Sequence, residues 1–497
     1  MTTAVATVPN QPAPRARRLT DWLRRHAVFV AVAAAYLTIF PYFRALENPN
    51  ENVRLWATRA LAKHGTWSLA PVLHEWGPVT DTAVFNGQRL SSKAPGTTLL
   101  GVPVHAVHDG VARLFTGQSP SLRASTWVLR VFTVIVPLLG FLWVFARRVE
   151  RETGSAFARD LLLVGLGIGT MMYPYGLAFV GHAQSAALLF AGYLALVPYR
   201  EVAPSRVRLM SAGALAGLSV GFEYQALLAA VLLAGFALLR VRGRVGWFVI
   251  GAAVPALLLG LYHAHLFAGP LDLPYAHLDD PGYAAYHHSQ GFLGLGRPRA
   301  RVLREAFISV DYGLFVFSPF LLAGLAVALV DVVKNGRPDQ GLVVAITAVM
   351  AVFLSGMANW RGGWCAAGPR YIAVVVPFLA YAIALGWKDW FEGRRWPQVG
   401  LLALVLSSVA LCALSGLFPH FPVQLDNPIF DLVVPLVGSG LAPYGLGTAL
   451  GLGGLPALLP WALAVLAAIA VMLARLSFLP RGTPHPSGVY RERAIAC

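Results

Sequence analysis

Apolar residues gather into runs that recur along the whole chain, and polar residues are confined to the stretches between them. Runs long enough for a helix to cross ~30 Å of hydrocarbon lie near residues 27–46, 126–146, 160–180, 183–199, 208–222, 224–240, 246–267, 312–330, 340–358, 371–387, 398–418 and 456–476. They predict an all-α, polytopic integral membrane protein of about 12 transmembrane helices. With the N-terminus cytoplasmic, the loops after even-numbered spans read "RRVER", "YREVAPSRVR", "RVRGR", "KNGR" and "KDWFEGRR". Every one is basic, as the positive-inside rule requires. A further apolar stretch at 97–115 carries His105, His108, Asp109 and Arg113, so it is expected to lie on the outer surface as an interfacial helix.

This pattern divides the chain into a basic cytoplasmic segment (1–26), a single transmembrane domain (27–476) and a cytoplasmic tail (477–497). The external side holds segments 47–125, 268–311, 359–370 and 419–455. No small-residue cleavage site follows the first apolar run, which is expected to be a retained span and not a signal peptide.

Composition agrees: 57% of the 497 residues are hydrophobic and only 12% charged, too few to cover a soluble surface. The net charge of +16 reflects Arg and Lys collected in cytoplasmic loops. No basic patch interleaved with aromatics points to nucleic acid. Cys365, Cys412 and Cys497 have no metal-ligand spacing and give no disulfide framework.

Candidate chemistry sits at the outer ends of the spans, where ionisable groups are expensive to bury. Glu47, Glu51 and Arg54 follow the first span. Glu51 and Arg54 read either as an ion pair at helical spacing or as a general base with Arg54 orienting it or meeting an anion. Asp81 is a reserve base. Lys93, before Ala94-Pro95-Gly96, is either a snorkelling anchor or a cation for a lipid phosphate. In "NWRGGWCAAGPRYIAVVVPFL", Trp360, Arg361, Trp364, Arg370 and Tyr371 form either an aromatic belt with a turn or a sugar-and-phosphate surface. His182 and Glu223 either pair between helices or line a site. The loop holding His277, Asp279, Asp280, His287 and His288 reads as a hydrated, Tyr-rich lid, because it lacks metal-ligand spacing.

The stretches "PNENVRLWATRALAKHGTW", "FNGQRLSSKAPG" and "RASTWVLRVFTVIVPLLGFLWVFARR" resemble the N-terminal third of the GT-C-fold, polyprenyl-phosphate-sugar-dependent glycosyltransferases. The nearest in pattern are the aminoarabinose transferases and the protein O-mannosyltransferases. The resemblance runs over roughly residues 28–200. Their acidic Asp-Glu pair matches Asn50-Glu51, which leaves one carboxylate; their arginine matches Arg54 with one extra residue between, and their lysine matches Lys93.

The resemblance implies a GT-C-like, inverting hexosyl or pentosyl transferase in a bacterial plasma membrane. Its site would be extracytoplasmic, its donor a sugar on polyprenyl phosphate, and its acceptor an envelope lipid, glycan or protein. Glu51 or Asp81 would be catalytic. Asn50, Arg54, Lys93, His182, Glu223, Trp360, Arg361, Trp364, Arg370 and Tyr371 would bind substrate. No metal ligands are implied, and Mg²⁺ is the single candidate cofactor. Membrane lipid is a partner and nucleic acid is not. Two alternatives are a transporter or flippase of lipid-linked sugars, which would show interrupted helices at the midplane, and a non-catalytic scaffold of envelope biogenesis.

Overall fold

The computed structural model describes residues 15–43, 48–198, 203–361, 364–365, 368–422 and 425–476. These are folded almost wholly into helices. The strands are two-stranded ribbons: Ile39–Phe40 with Tyr444–Gly445, Thr82–Phe85 (β1) with Gln88–Ser91 (β2), and Trp364–Cys365 with Phe421–Pro422.

Among the described residues, five helical segments are long and apolar enough to cross a membrane: Leu122–Thr153, Ala226–Leu266, Pro338–Gly356, Arg395–Leu417 and Leu455–Ala474. Other expected runs form shorter helices, such as His182–Leu196 with 15 residues and Arg206–Phe222 with 17. The first run lies in α1 (Arg15–Leu37), which kinks at His26. A straight helix of the 41 residues from Ala226 to Leu266 would measure about 60 Å, twice the hydrocarbon thickness. The rod breaks at Arg242, whose φ of 41° ends one helix before the next begins.

Helices pack closely because small residues let their backbones meet. A Cβ on Gly213 would come within 1.9 Å of the Phe248 carbonyl, and one on Gly251 within 1.9 Å of the Met210 carbonyl. The interior is aromatic as well as aliphatic: Phe190 meets Phe378 edge-on at 5.0 Å and Tyr381 at 5.4 Å, an arrangement aromatic quadrupoles favour.

Charged helix ends pair with one another at one end of the bundle. Glu150 binds Arg25 and Arg159, Asp160 binds Arg475, Asp339 binds Arg240, and Asp331 binds Arg337. The opposite ends of the bundle carry the segments that the sequence predicts to be external. The first of these contains α2 (Pro49–His64), the β1–β2 hairpin and α3 (Gly96–Thr116). α3 exposes Leu100, Val107, Val111 and Leu114 on one side while His105 is fully buried, which is the amphipathic pattern expected of an interfacial helix.

Candidate active site

α2 begins where the first span ends. Asn48 caps it, its side chain accepting from the Glu51 N–H at 3.5 Å, and Pro49 occupies the first turn, where a missing N–H costs nothing. Asn50 and Glu51 therefore sit side by side in that turn, about 100° apart around the axis. They face different cavities.

Glu51 is 3% exposed and faces Leu122–Thr153. Arg130 grips it in a bidentate pair, Nε to Oε1 at 2.6 Å and Nη2 to Oε2 at 2.6 Å. The Phe179 N–H donates to Oε1 at 2.7 Å, and His420 Nε2 lies 3.3 Å from Oε2. Burial alone would raise this carboxyl, but Arg130 and His420 hold it well below the usual carboxylate range.

Arg130 reaches this position from a π-helical turn, Arg130–Ile135. Pro137 lacks the N–H that would bond the Thr133 carbonyl, and Gln184 Nε2 bonds that carbonyl instead at 2.7 Å. A cavity of about 70 Å³ opens beside the pair, walled by Tyr42, Phe43, Leu55, Leu122, Thr126 and Phe418.

The expected pairing of Glu51 with Arg54 is not present. Arg54 turns the other way, donating to Asn50 Oδ1 at 3.1 Å, the Ala94 carbonyl at 3.0 Å and Glu223 Oε1 at 2.8 Å. The spacing would allow the pair, but Glu51 is taken by Arg130 and Arg54 by Glu223. His182 Nδ1 stands 3.4 Å from the same Glu223 oxygen, and its ring meets Tyr371 edge-on at 6.4 Å. Arg54, Glu223 and His182 thus form a buried layer behind Asn50 and Tyr371.

In front of that layer is a second cavity, of about 30 Å³, that collects Asn50, Asp81, Lys93, Arg370 and Tyr371. The β1–β2 hairpin turns through Asn86-Gly87, both with positive φ, as a tight type I′ turn needs. It thereby sets Asp81 and Lys93 at its two roots. Lys93 Nζ binds Asp81 Oδ2 at 2.6 Å, and Ser92 Oγ donates to Asp81 Oδ1 at 2.9 Å. Asp81 itself has φ 65°, a strained setting for a non-glycine residue and one that is enriched at functional sites. Burial lowers the Lys93 ammonium from its ordinary value, Asp81 opposes that, and Arg54 and Arg370 lower it further. Arg370 stacks its guanidinium 5.0 Å from the Tyr371 ring.

The remaining wall comes from the segment 268–311: Tyr275, Tyr283 and His287, with Asn359 beside them. Tyr283 and His287 lie on α4 (Pro281–His288), capped by Asp280. This segment docks on the hairpin through the Ala83–Leu278 bridge and the Asp279 N–H to Thr82 carbonyl bond of 3.0 Å. His277 is held by Asp272 at 2.8 Å and stacked on Phe267. Among the described residues, no three His, Cys, Asp or Glu side chains assemble in a way that could hold a metal ion.

Trp360 and Arg361 point away from this cavity. Their rings and guanidinium pack on Tyr312, and Arg361 donates to the Leu425 carbonyl at 3.2 Å. Trp364 pairs through its backbone with Pro422; its side chain, and Glu47, lie outside the described residues. Sequence reasoning passed over Arg130, His420, Tyr275, Tyr283 and Asn359. Arg130 had a signal, an arginine inside an apolar run, and the tyrosines stood in the loop read as Tyr-rich.

No family model matches the sequence, and no curated protein matches it. Among solved structures, the chain is similar to the apo oligosaccharyltransferase of Archaeoglobus fulgidus, at a TM-score of 0.49 and 12% identity over 81% of this chain and 57% of that one. The chain therefore spans little more than half the length of that protein. It is also similar to ArnT from Cupriavidus metallidurans. The apo state gives a TM-score of 0.47 and 16% identity over 94% of this chain and 78% of that one. The state bound to undecaprenyl phosphate gives 0.45 and 17% over 93% and 77%. None of these likenesses bears on the chemistry of the cavity, which rests on its own side chains.

Proposed function

We propose that the chain is a plasma-membrane glycosyltransferase of the bacterial envelope. It would move a sugar from a polyprenyl-phosphate carrier to an envelope acceptor on the extracytoplasmic side. The observation that carries this reading is the convergence of Asn50, Asp81, Lys93, Arg370 and Tyr371 on one cavity. Asn50, Asp81 and Lys93 come from the segment 47–125 and Arg370 and Tyr371 from much later in the chain, and Asn50 and Lys93 belong to the stretches that resemble such transferases.

In this reading Lys93 and Arg370 receive the departing phosphate. Fixed cations at the place where charge develops, in a water-poor site, stabilise a transition state by a few kcal/mol. Asp81 holds Lys93 in place and faces the acceptor, and Tyr371 and Tyr275 border the sugar. Arg54, Glu223 and His182 fix the rear wall. Glu51 acts through structure: its grip on Arg130 holds the first turn of α2, and with it Asn50, against the spanning helices. The α4 segment forms one wall of the cavity and opens to admit a ligand.

The test uses purified protein in nanodiscs, a panel of polyprenyl-phosphate sugars and a crude envelope-lipid extract, with release of free polyprenyl phosphate followed by mass spectrometry. Wild type should release it, and Asp81→Asn and Lys93→Gln should not. Donor binding with no release from any sugar would instead favour transport or a scaffold.

A further inference from the structure

Transfer to a hydroxyl acceptor leaves a proton to be placed, and the cavity's carboxylate is poorly suited to take it. Asp81 has both oxygens engaged, one by Lys93 and one by Ser92. Glu51 faces the other cavity with both oxygens bound. Lys93 and Arg370 are cations, and Asn50 and Asn359 are not bases. Three phenols, Tyr275, Tyr283 and Tyr371, and one imidazole, His287, remain in the lining, and of these two side-chain types the imidazole is the one suited to accept a proton near neutral pH.

We propose that His287 takes the acceptor's proton, presented to the cavity by α4 and held against the Tyr275 ring; this rests on the transferase reading. His287 lines the cavity beside Asp81, Lys93 and Arg370, and a neutral imidazole keeps one nitrogen whose lone pair can accept a proton. The ring is stacked on Tyr275 at 4.8 Å and 17°.

The turn that follows α4 is tightly constrained. Leu293 has φ 52° and Gly294 φ 81°. A Cβ on Gly294 would lie 2.7 Å from the Tyr286 carbonyl and 3.3 Å from the Cα of His287. A strained leucine beside a glycine forced against the end of α4 is a conformation the surroundings must over-determine. They do so by tying this turn to the end of Pro338–Gly356: Gly296 N–H donates to the Gly356 carbonyl at 2.9 Å, and the Gln290 amide donates to the Gly294 carbonyl at 3.3 Å and to the Gly356 carbonyl at 3.2 Å.

The charged and titratable groups around His287 are Lys93, Asp81, Tyr275, Tyr283, Arg370 and its neighbour His288. Burial and Lys93 lower the imidazole from its ordinary value, against the opposing pull of Leu293 and Asp81. It is therefore neutral and ready to accept at neutral pH. In the step itself the acceptor oxygen forms a bond to the anomeric carbon as the carbon–phosphate oxygen bond breaks. The phosphate departs with the electron pair, and the hydroxyl proton passes to His287, which returns it to water.

The experiment compares wild type, His287→Gln and His287→Gly in nanodiscs with the same donor panel and envelope extract, across pH. The expected result for His287→Gln is a kcat lower by about 100-fold with donor KM changed by less than about threefold. Wild-type kcat should fall with pH below the ordinary imidazole value, and the variant should lack that limb. Added imidazole should restore activity to His287→Gly, which a merely misfolded variant would not allow. Wild-type kcat with an unchanged acid limb in His287→Gln overturns this inference and leaves the transferase standing. Absence of release by wild type from every donor overturns both.

Discussion

Glu51 and Arg130, 79 residues apart in sequence, meet through two parallel hydrogen bonds of 2.6 Å each, both side chains almost wholly buried. Such a pair adds little net stability once its desolvation is counted but costs much to halve, because removing one partner strands the other charge away from water. Glu51→Gln should destabilise the protein by about 3–5 kcal/mol. Glu51→Gln with Arg130→Met should be closer to wild type than the sum of the single changes. Thermal unfolding in nanodiscs measures both, and simple additivity would sink the idea of a coupled pair.

Lys93 and Arg370 should act on the transition state more than on folding. Lys93→Gln and Arg370→Gln are each expected to lower kcat of the folded protein by about 100- to 1000-fold, with Lys93→Gln also lowering thermal stability because it strands buried Asp81. Steady-state release of polyprenyl phosphate reads this. A variant that unfolds but keeps its kcat while folded would show a structural cation instead.

His105 on α3 supplies a pH dependence of stability. Burial, chiefly, with Arg59 lowers its imidazole to about 4, against about 6.5 in an unfolded chain. The unfolded state therefore binds a proton first, and stability is lost as pH falls from about 6.5 toward 4. By linkage this amounts to on the order of 3 kcal/mol. His105→Phe should flatten that part of the stability–pH curve, measured by thermal unfolding between pH 4 and 7. An unchanged slope would mean the loss arises elsewhere.

The α4 segment should need to move. Ala83 and Leu278 face each other across an antiparallel bridge, a separation a disulfide spans. Ala83→Cys with Leu278→Cys, oxidised, should stop turnover, and reduction should restore it. Full activity of the cross-linked protein would show that ligand enters without this segment lifting.

Much of the cavity was legible because ionisable residues at span ends converge on one side: Asn50, Asp81, Lys93, Arg370 and Tyr371 all reach it. What hid was direction. Glu51 and Arg54 read as partners by spacing, but only the phase of α2 shows that one faces a spanning helix and the other the hairpin. Arg130 was absorbed into an apolar run, and its exposure to Glu51 depends on a π-turn that composition does not announce. Trp360 and Arg361 had the right residue types for a sugar surface, yet Tyr312 and the Leu425 carbonyl draw them aside. The fold class was visible in hydropathy. The span count was harder, since several apolar runs fold into helices shorter than a bilayer requires.

The first turn of α2 carries Asn50 on the wall of one cavity and Glu51 on the wall of the other. A single turn of helix is thus a common hinge-post for two chambers. Any twist of α2 about its own axis shifts both walls at once, so a movement of that turn in one chamber is felt in the other.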